Sequence, residues 1–158
     1  MTKDVLVSIS EMHEEIVAVT PEVEDDENEA IEVVTPATYY LKNGKHYIVY
    51  EEVVEGTSGV IKNRIKINGD ECVEIVKSGL SNSHMIFEKN KKNQTFYKTP
   101  YGQMLIGVNT RHLQVDFEED KIAVQIDYEL DVNHEPMADC KIRMNIVSKD
   151  SGKFSVLS

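Results

Sequence analysis

Apolar and polar residues alternate along most of this chain. The clearest run covers residues 122–132, where an apolar residue or tyrosine occupies every second position and mostly polar residues lie between. Residues 140–146 repeat the pattern. A repeat of two is typical of antiparallel β-strands that turn one face towards a core. No long stretch has the apolar spacing and the preceding cap of an amphipathic helix, so the pattern predicts an all-β protein.

Turn residues separate the alternating runs. Asn43-Gly44 is the strongest hairpin signal, because both central residues of such a turn must accept a positive φ. Ten strands are predicted on this basis, at about residues 3–13, 30–42, 45–54, 60–68, 71–78, 83–88, 94–99, 103–117, 121–132 and 137–147. Short turns between successive strands favour a meander, and closing a meander into a barrel removes its exposed edges. We therefore expect a single antiparallel up-and-down β-barrel of about 8–10 strands.

Length and charge place limits on the organisation of the chain. A length of 158 residues suggests one domain, which we place at residues 1–147, with an acidic loop at 21–32 and a loose C-terminal tail at 148–158. Seven of the 28 acidic residues lie in 21–32, so the rest of the chain carries only −4 of the formal charge of −11. This charge disfavours nucleic-acid binding, despite a lysine-rich hairpin tip at residues 89–92.

The cellular compartment follows from two further features. Residues 1–10 alternate apolar residues with serine and lack the continuous apolar stretch of a signal peptide, and no stretch has the length of a membrane span. Cys72 and Cys140 are far apart in sequence and outside any CxxC pattern. We expect two reduced thiols in a cytoplasmic protein that is not attached to a membrane.

Seven stretches occur together in an order that resembles a known family. This pattern resembles the YwiB-like family of small uncharacterised bacterial proteins, over roughly residues 3–147. The resemblance implies a calycin-type β-barrel, similar in outline to lipocalins and fatty-acid-binding proteins. It implies no activity and no site residues. The stretches are KDVLVSIS (3–10), YYLKNGKHYIVYEE (39–52), GVIKNRIKI (59–67), SHMIFEKNKKN (83–93), TPYGQMLIGVNT (99–110), DYELDVN (127–133) and ADCKIRMNI (138–146).

No catalytic or cofactor motif is recognisable. The five histidines do not share a metal-ligand spacing such as HxxxH, and Ser83 and His84 are neighbours that a strand would point to opposite faces. The sequence contains neither GxSxG nor a phosphate-binding glycine loop. We therefore expect no cofactor and no metal, and the sequence favours a protein that is not an enzyme.

Polar residues on predicted apolar faces are the most informative positions. Asn63 is in phase with Ile61 and Ile65, and Tyr128 lies within the long apolar run. Arg111 is in phase with Leu113, provided that no bulge intervenes. Buried polar groups need partners, and in a ligand-binding barrel they orient the polar end of the ligand. The competing interpretation is that these three residues pair with one another, cap the barrel end or reach water.

These features are compatible with three hypotheses about function. The first is a binding module that holds a small amphipathic molecule inside the barrel, with Arg111, Asn63 and Tyr128 as candidate ligand-binding residues. The alternative is a protein–protein interaction scaffold, without ligand or catalysis, in which the acidic loop or an exposed strand binds a basic partner or forms a homodimer. The third is an enzyme of unrecognised type, which needs titratable side chains that converge in one pocket.

Overall fold

Ten antiparallel strands make up the fold, and the predicted all-β class is confirmed. The computed structural model describes residues 1, 3–15, 31–80, 82–99 and 101–149. The strands are β1 (Asp4–Glu15), β2 (Ile31–Lys42), β3 (Lys45–Val53), β4 (Val60–Asn68), β5 (Cys72–Gly79), β6 (Ser83–Glu88), β7 (Lys92–Thr99), β8 (Gly102–Phe117), β9 (Lys121–Val132) and β10 (Glu135–Ser148).

The strands form one sheet that curls into a nearly closed barrel. Their order is β6-β5-β4-β3-β2-β1-β10-β9-β8-β7, so strands that are consecutive along the chain pair with each other, except β6 and β7, and β1 also pairs with β10. The described parts of β6 and β7 form the two sheet edges and share no ladder, which leaves a seam between them. The seam is held at one end, where the Lys91 amide donates to Glu88 and the Thr110 amide donates to Lys91.

Local turn chemistry sets most strand ends at or near their predicted positions. Asn43 and Gly44 both have positive φ, 52° and 74°, as the hairpin signal requires. Two strands begin two residues earlier than predicted, β7 at Lys92 and β10 at Glu135. Strand β10 continues through Pro136 because the register shifts between Pro136 and Ala138, which accommodates a residue without an amide hydrogen.

The two ends of the barrel interior differ. One end, which we call the closed end, holds the β2–β3 and β4–β5 turns and is filled by the barrel's own side chains. These fully buried residues include Val5, Val7, Ile48, Ile65, Ile67, Val73, Phe87, Leu113 and Ile122. At the opposite end, the open end, β1, β3, β5, β7 and β9 finish and β2, β4, β6, β8 and β10 begin. Fewer side chains fill the interior there.

A β-bulge in β8 corrects the predicted orientation of Arg111. Thr110 pairs with Tyr128 and His112 pairs with Asp127, so Arg111 is an extra residue between two consecutive pairs. The inward positions of β8 therefore change from even numbers, such as Thr110, to odd numbers, such as Leu113. Arg111 lies on the outer face, whereas simple alternation placed it inside.

Several expectations fall partly or wholly outside the described residues. The acidic loop 21–32 is described only from Ile31, and the predicted tail 148–158 only up to Lys149. Ser148 is the last residue of β10. Within the described ranges, no helix is long and apolar enough to cross a membrane.

The closed end generates a stability prediction. Ile48 and Val53 lie on the same strand, but Ile48 is fully buried whereas 80% of Val53 is exposed. We expect Ile48→Ala to lower the free energy of unfolding by about 2–5 kcal/mol, because it leaves a cavity in a packed interior. Val53→Ala is the matched control, with an expected change within about 0.5 kcal/mol. Urea denaturation followed by circular dichroism measures both, and equal losses would contradict this description of the core.

Candidate functional site

A cavity of about 440 Å³ lies inside the barrel towards the open end and reaches the seam between β6 and β7. We call it the larger chamber. Its wall is mostly apolar because the inward positions of β5, β6, β8, β9 and β10 carry large hydrophobic residues there. They include Ile75, Met85, Met104, Ile106, Leu130 and Ile142. Such a wall removes water from the apolar part of any molecule that enters.

A second cavity, of about 240 Å³, adjoins the first, and we call it the smaller chamber. The apolar part of its wall is formed by Ile9, Val33 and Tyr50, and Glu52 also lines it. Glu11 and Lys77 line both chambers. The two chambers therefore share a charged wall, made by the inward-facing ends of β1 and β5.

Asn63 lies behind this charged wall and is only 1% exposed. Its Nδ2 donates to Oε1 of Glu52 at 2.6 Å, and Lys77 Nζ approaches the same oxygen at 3.5 Å. The Asn63 Oδ1 atom is buried and has no hydrogen-bond partner among the described residues. The Nδ2 of Asn63, rather than its Oδ1, faces the carboxylate, because a carboxylate only accepts hydrogen bonds.

Tyr128 lies at the floor of the larger chamber, with its ring edge-on to Phe87 at a centroid distance of 4.9 Å. Burial raises the pKa of Tyr128, and the neighbouring Cys140 thiol and Glu11 raise the pKa further. The phenol is therefore neutral at physiological pH. Burial is also the main cause of the raised pKa of Tyr50, followed by the charges of Glu52 and Glu11.

Burial is the main cause of the raised pKa of Tyr50, Tyr128 and Cys140, and the nearby Glu11 carboxylate adds to the rise in each case. An upward shift of an acidic group beside a carboxylate means that a further negative charge is disfavoured there. Lys77 is the cation in the same wall, and it is paired with Glu52.

Arg111 belongs to a different surface. Its guanidinium pairs with Glu129 and, at 3.5 Å, with Asp139, and 55% of its side chain is exposed. Arg143 and Asp127 form a similar pair at 2.9 Å on the outer faces of β9 and β10. These are surface ion pairs outside the chambers.

The structure brings two of the three predicted residues to the interior and adds three that the sequence analysis missed. Asn63 and Tyr128 are buried in the barrel, and their ligand-binding role stays a prediction. Glu11, Glu52 and Lys77 were missed, although a signal was present. Glu11 is in phase with Val5, Val7 and Ile9, so its inward position follows from the same alternation.

No group of three or more His, Cys, Asp and Glu residues in the described part of the chain is arranged to hold a metal ion. His46 accepts or donates a 2.6 Å hydrogen bond with Tyr39 towards the closed end, whereas His84 lies 3.8 Å from Glu74. Cys72 and Cys140 are both thiols.

The fold and the cavity define a class, a nearly closed ten-stranded antiparallel barrel with a partly filled interior. The chain belongs to the family described as a domain of unknown function, DUF1934, which matches residues 16–144. It is 32% identical over 114 residues to the uncharacterized beta-barrel protein YwiB of Bacillus subtilis (strain 168), covering 72% of this chain and 78% of that protein. The crystal structure of the ywiB protein from Bacillus subtilis matches with a TM-score of 0.71 over 92% of each chain, at 22% identity. The predicted YwiB-like family and barrel are thereby confirmed.

The position of Arg111 generates a second stability prediction. Because both of its ion pairs are at the surface, Arg111→Ala should lower the free energy of unfolding by less than about 1 kcal/mol. Urea denaturation of the variant and of the wild type measures this difference in the free energy of unfolding. A loss of about 3 kcal/mol or more would instead indicate a buried charge left without its partner and would contradict the outward position.

Proposed function

We propose that this protein is a binding module that holds a small amphipathic molecule in the two chambers of the barrel. The observation that carries the proposal is the larger chamber. It has a volume of about 440 Å³, a mostly apolar wall and the charged wall at one end. Small-molecule sites commonly combine such a volume, a mostly apolar lining and a few placed polar groups. Family and fold alone do not supply this function.

Two of the three predicted residues have a part in this proposal. Asn63 holds Glu52 through the 2.6 Å hydrogen bond, and Tyr128 supplies a neutral, partly polar surface at the floor. Arg111 has no part in the site because it lies outside. A calycin-like relationship and a cytoplasmic location belong to the same proposal. Two reduced thiols suit a reducing compartment.

Occupancy of the larger chamber can be tested with the neutral apolar dye Nile red. Ile106 lines the chamber, whereas Gln103, on the same strand, is exposed. The chain contains no tryptophan, so each single-tryptophan variant carries its own reporter. We expect saturable dye binding by the wild type and by the control Gln103→Trp. Ile106→Trp, which fills the chamber, should weaken binding by about tenfold or more.

Thermal unfolding of each variant controls for loss of the fold, and Leu130→Phe is a milder second way to fill the same chamber. Absence of saturable binding by the wild type would contradict the proposal. Equal binding by the filled and control variants would contradict it as well, because the dye would then lie elsewhere.

A second candidate function is protein–protein interaction, and two exposed apolar side chains in a groove at the seam favour it. A cavity of about 710 Å³ lies at the seam between the β5–β6 turn and β7, and it shares six of its lining residues with the larger chamber. Leu80 and Phe96 line it and are 55% and 69% exposed. Exposed apolar side chains beside unpaired sheet edges are typical of association surfaces, and a homodimer is the simplest association that they could form.

If the protein self-associates through this groove, a substitution in the groove should change its mass in solution. If the groove forms a homodimer, light scattering coupled to size exclusion should give a dimer mass for the wild type. Phe96→Ser should then shift the mass to that of a monomer, because it removes a large apolar contact. The outward-facing Gln114→Ser is the control on a distant part of the sheet. A monomeric wild type at high protein concentration would remove the homodimer from consideration.

A further inference from the structure

We propose that the seam between β6 and β7 is a binding site for an extended peptide segment of another protein, which adds to both strands as an eleventh strand. The inference goes beyond the proposed small-molecule function, because the peptide is held through its main chain. The juxtaposition that carries it is two facing sheet edges with unused backbone groups, with a groove between them that leads to an apolar chamber.

The main-chain groups of β6 give the first argument. The Lys89 amide donates to Glu71, which lies opposite it one residue beyond the β5–β6 ladder. Bonded and non-bonded pairs alternate along an antiparallel ladder, so the bonded pairs lie at odd-numbered residues of β6. The main-chain groups of His84 and Ile86, at even-numbered positions, therefore point away from β5 and towards the seam.

Strand β7 faces the seam in the same way. The Thr110 amide donates to Lys91, one residue beyond the β7–β8 ladder, so the bonded pairs lie at odd-numbered residues of β7. The main-chain groups of Gln94 and Phe96 therefore point towards β6. In the described parts of the chain no ladder joins β6 to β7, so both edges can accept a further strand.

The groove between the two edges gives the added strand its place. It has a volume of about 710 Å³, and its lining includes Ser83 and His84 from β6 and residues 95–97 from β7. At the closed end the Lys91 amide donates to Glu88 and holds the seam together. The site is therefore the open-end part of the seam, and the paired part of the peptide is no longer than β6, which has six residues.

The sheet order favours a segment of another protein over a second copy of this chain. A strand that enters between two edges needs both of its own edges free. Each of β1–β5 and β8–β10 is paired on both sides, whereas β6 and β7 each have one free edge. No described strand of a second copy can therefore fill the seam without leaving its own sheet.

Alternation along the added strand sets its side chains. Met85 and Thr95 lie on the inner face and line the larger chamber, whereas the exposed side chains of His84 and Phe96 lie on the outer face. Side chains of the added strand must alternate in the same way. Every second residue of the peptide therefore enters the mostly apolar chamber and is expected to be apolar itself.

The charge of the groove limits the remaining positions of the peptide. Lys77 and His84 line the groove, and no Asp or Glu is among its described lining residues. Glu74 lies 3.8 Å from His84 but outside this lining. A basic side chain in the groove would meet like charge, so the peptide is expected to be neutral or acidic.

A short peptide with this pattern tests the inference. The probe is acetyl-Val-Glu-Val-Thr-Val-Ser-amide, titrated into the isotope-labelled full chain and followed by NMR. We expect saturable shifts of the seam-facing amides of His84, Ile86, Gln94 and Phe96, and hydrogen exchange at these amides slowed by about tenfold or more. The same peptide with N-methylated valines keeps its side chains but loses main-chain donors, so it should bind about tenfold more weakly.

Phe96→Pro and Phe96→Ala are the matched variants, because both remove the exposed ring and only proline removes the seam-facing amide hydrogen. Proline is tolerated in an edge strand where the N–H points away from the ladder. Phe96→Pro should bind the peptide about fivefold more weakly than Phe96→Ala. Thermal unfolding controls for the fold, and His84→Pro with His84→Ala repeats the comparison on β6.

Absence of saturable shifts in the wild type would overturn the inference. Equal binding of the N-methylated peptide would overturn it as well, and so would equal affinities of the proline and alanine variants. Shifts of the same amides with protein concentration alone, without peptide, would assign the seam to a second copy instead. Nile red binding is measured separately, so the small-molecule proposal can stand when this one fails.

Discussion

The ladder between β1 and β10 is the constraint on which the rest of the structure depends. It joins the first and last described strands through a register that runs from Val5 opposite Ser148 to Glu15 opposite Ala138. Every other ladder links strands that are consecutive along the described chain. Hairpins form from local sequence, whereas this pairing has to close a loop of most of the chain. It converts two runs of hairpins into one curved sheet with a single interior.

The seam lies opposite this ladder in the strand order, and that position explains the uneven interior. Strands β6 and β7 are the two edge strands of the sheet. Backbone hydrogen bonds tie them together near the 89–91 turn at the closed end. The sheet can therefore tighten around Ile48, Ile65 and Phe87 at that end and spread towards the other. The larger chamber reaches this seam, where β6 and β7 share no ladder.

The charged wall and the buried amide behind it have a cost for folding. Glu52, Lys77 and Asn63 form a connected set, but the set leaves Asn63 Oδ1 unsatisfied at 1% exposure. An apolar side chain at position 63 would avoid that cost. A polar network that is only partly satisfied adds less stability than a complete one, because the unpaired acceptor keeps its desolvation cost.

The sequence by itself determined the strands, their antiparallel order and most of the inward residues, because alternation and turn chemistry are local properties. Asn63 and Tyr128 were found in this way, and the charged position at Glu11 followed from the same parity. The tertiary structure alone decided that Arg111 points outwards, since one bulged residue reverses the parity of everything after it. It alone also decided which inward residues pack and which line a cavity. That depends on how far β6 and β7 separate, and no local pattern in the chain records this distance.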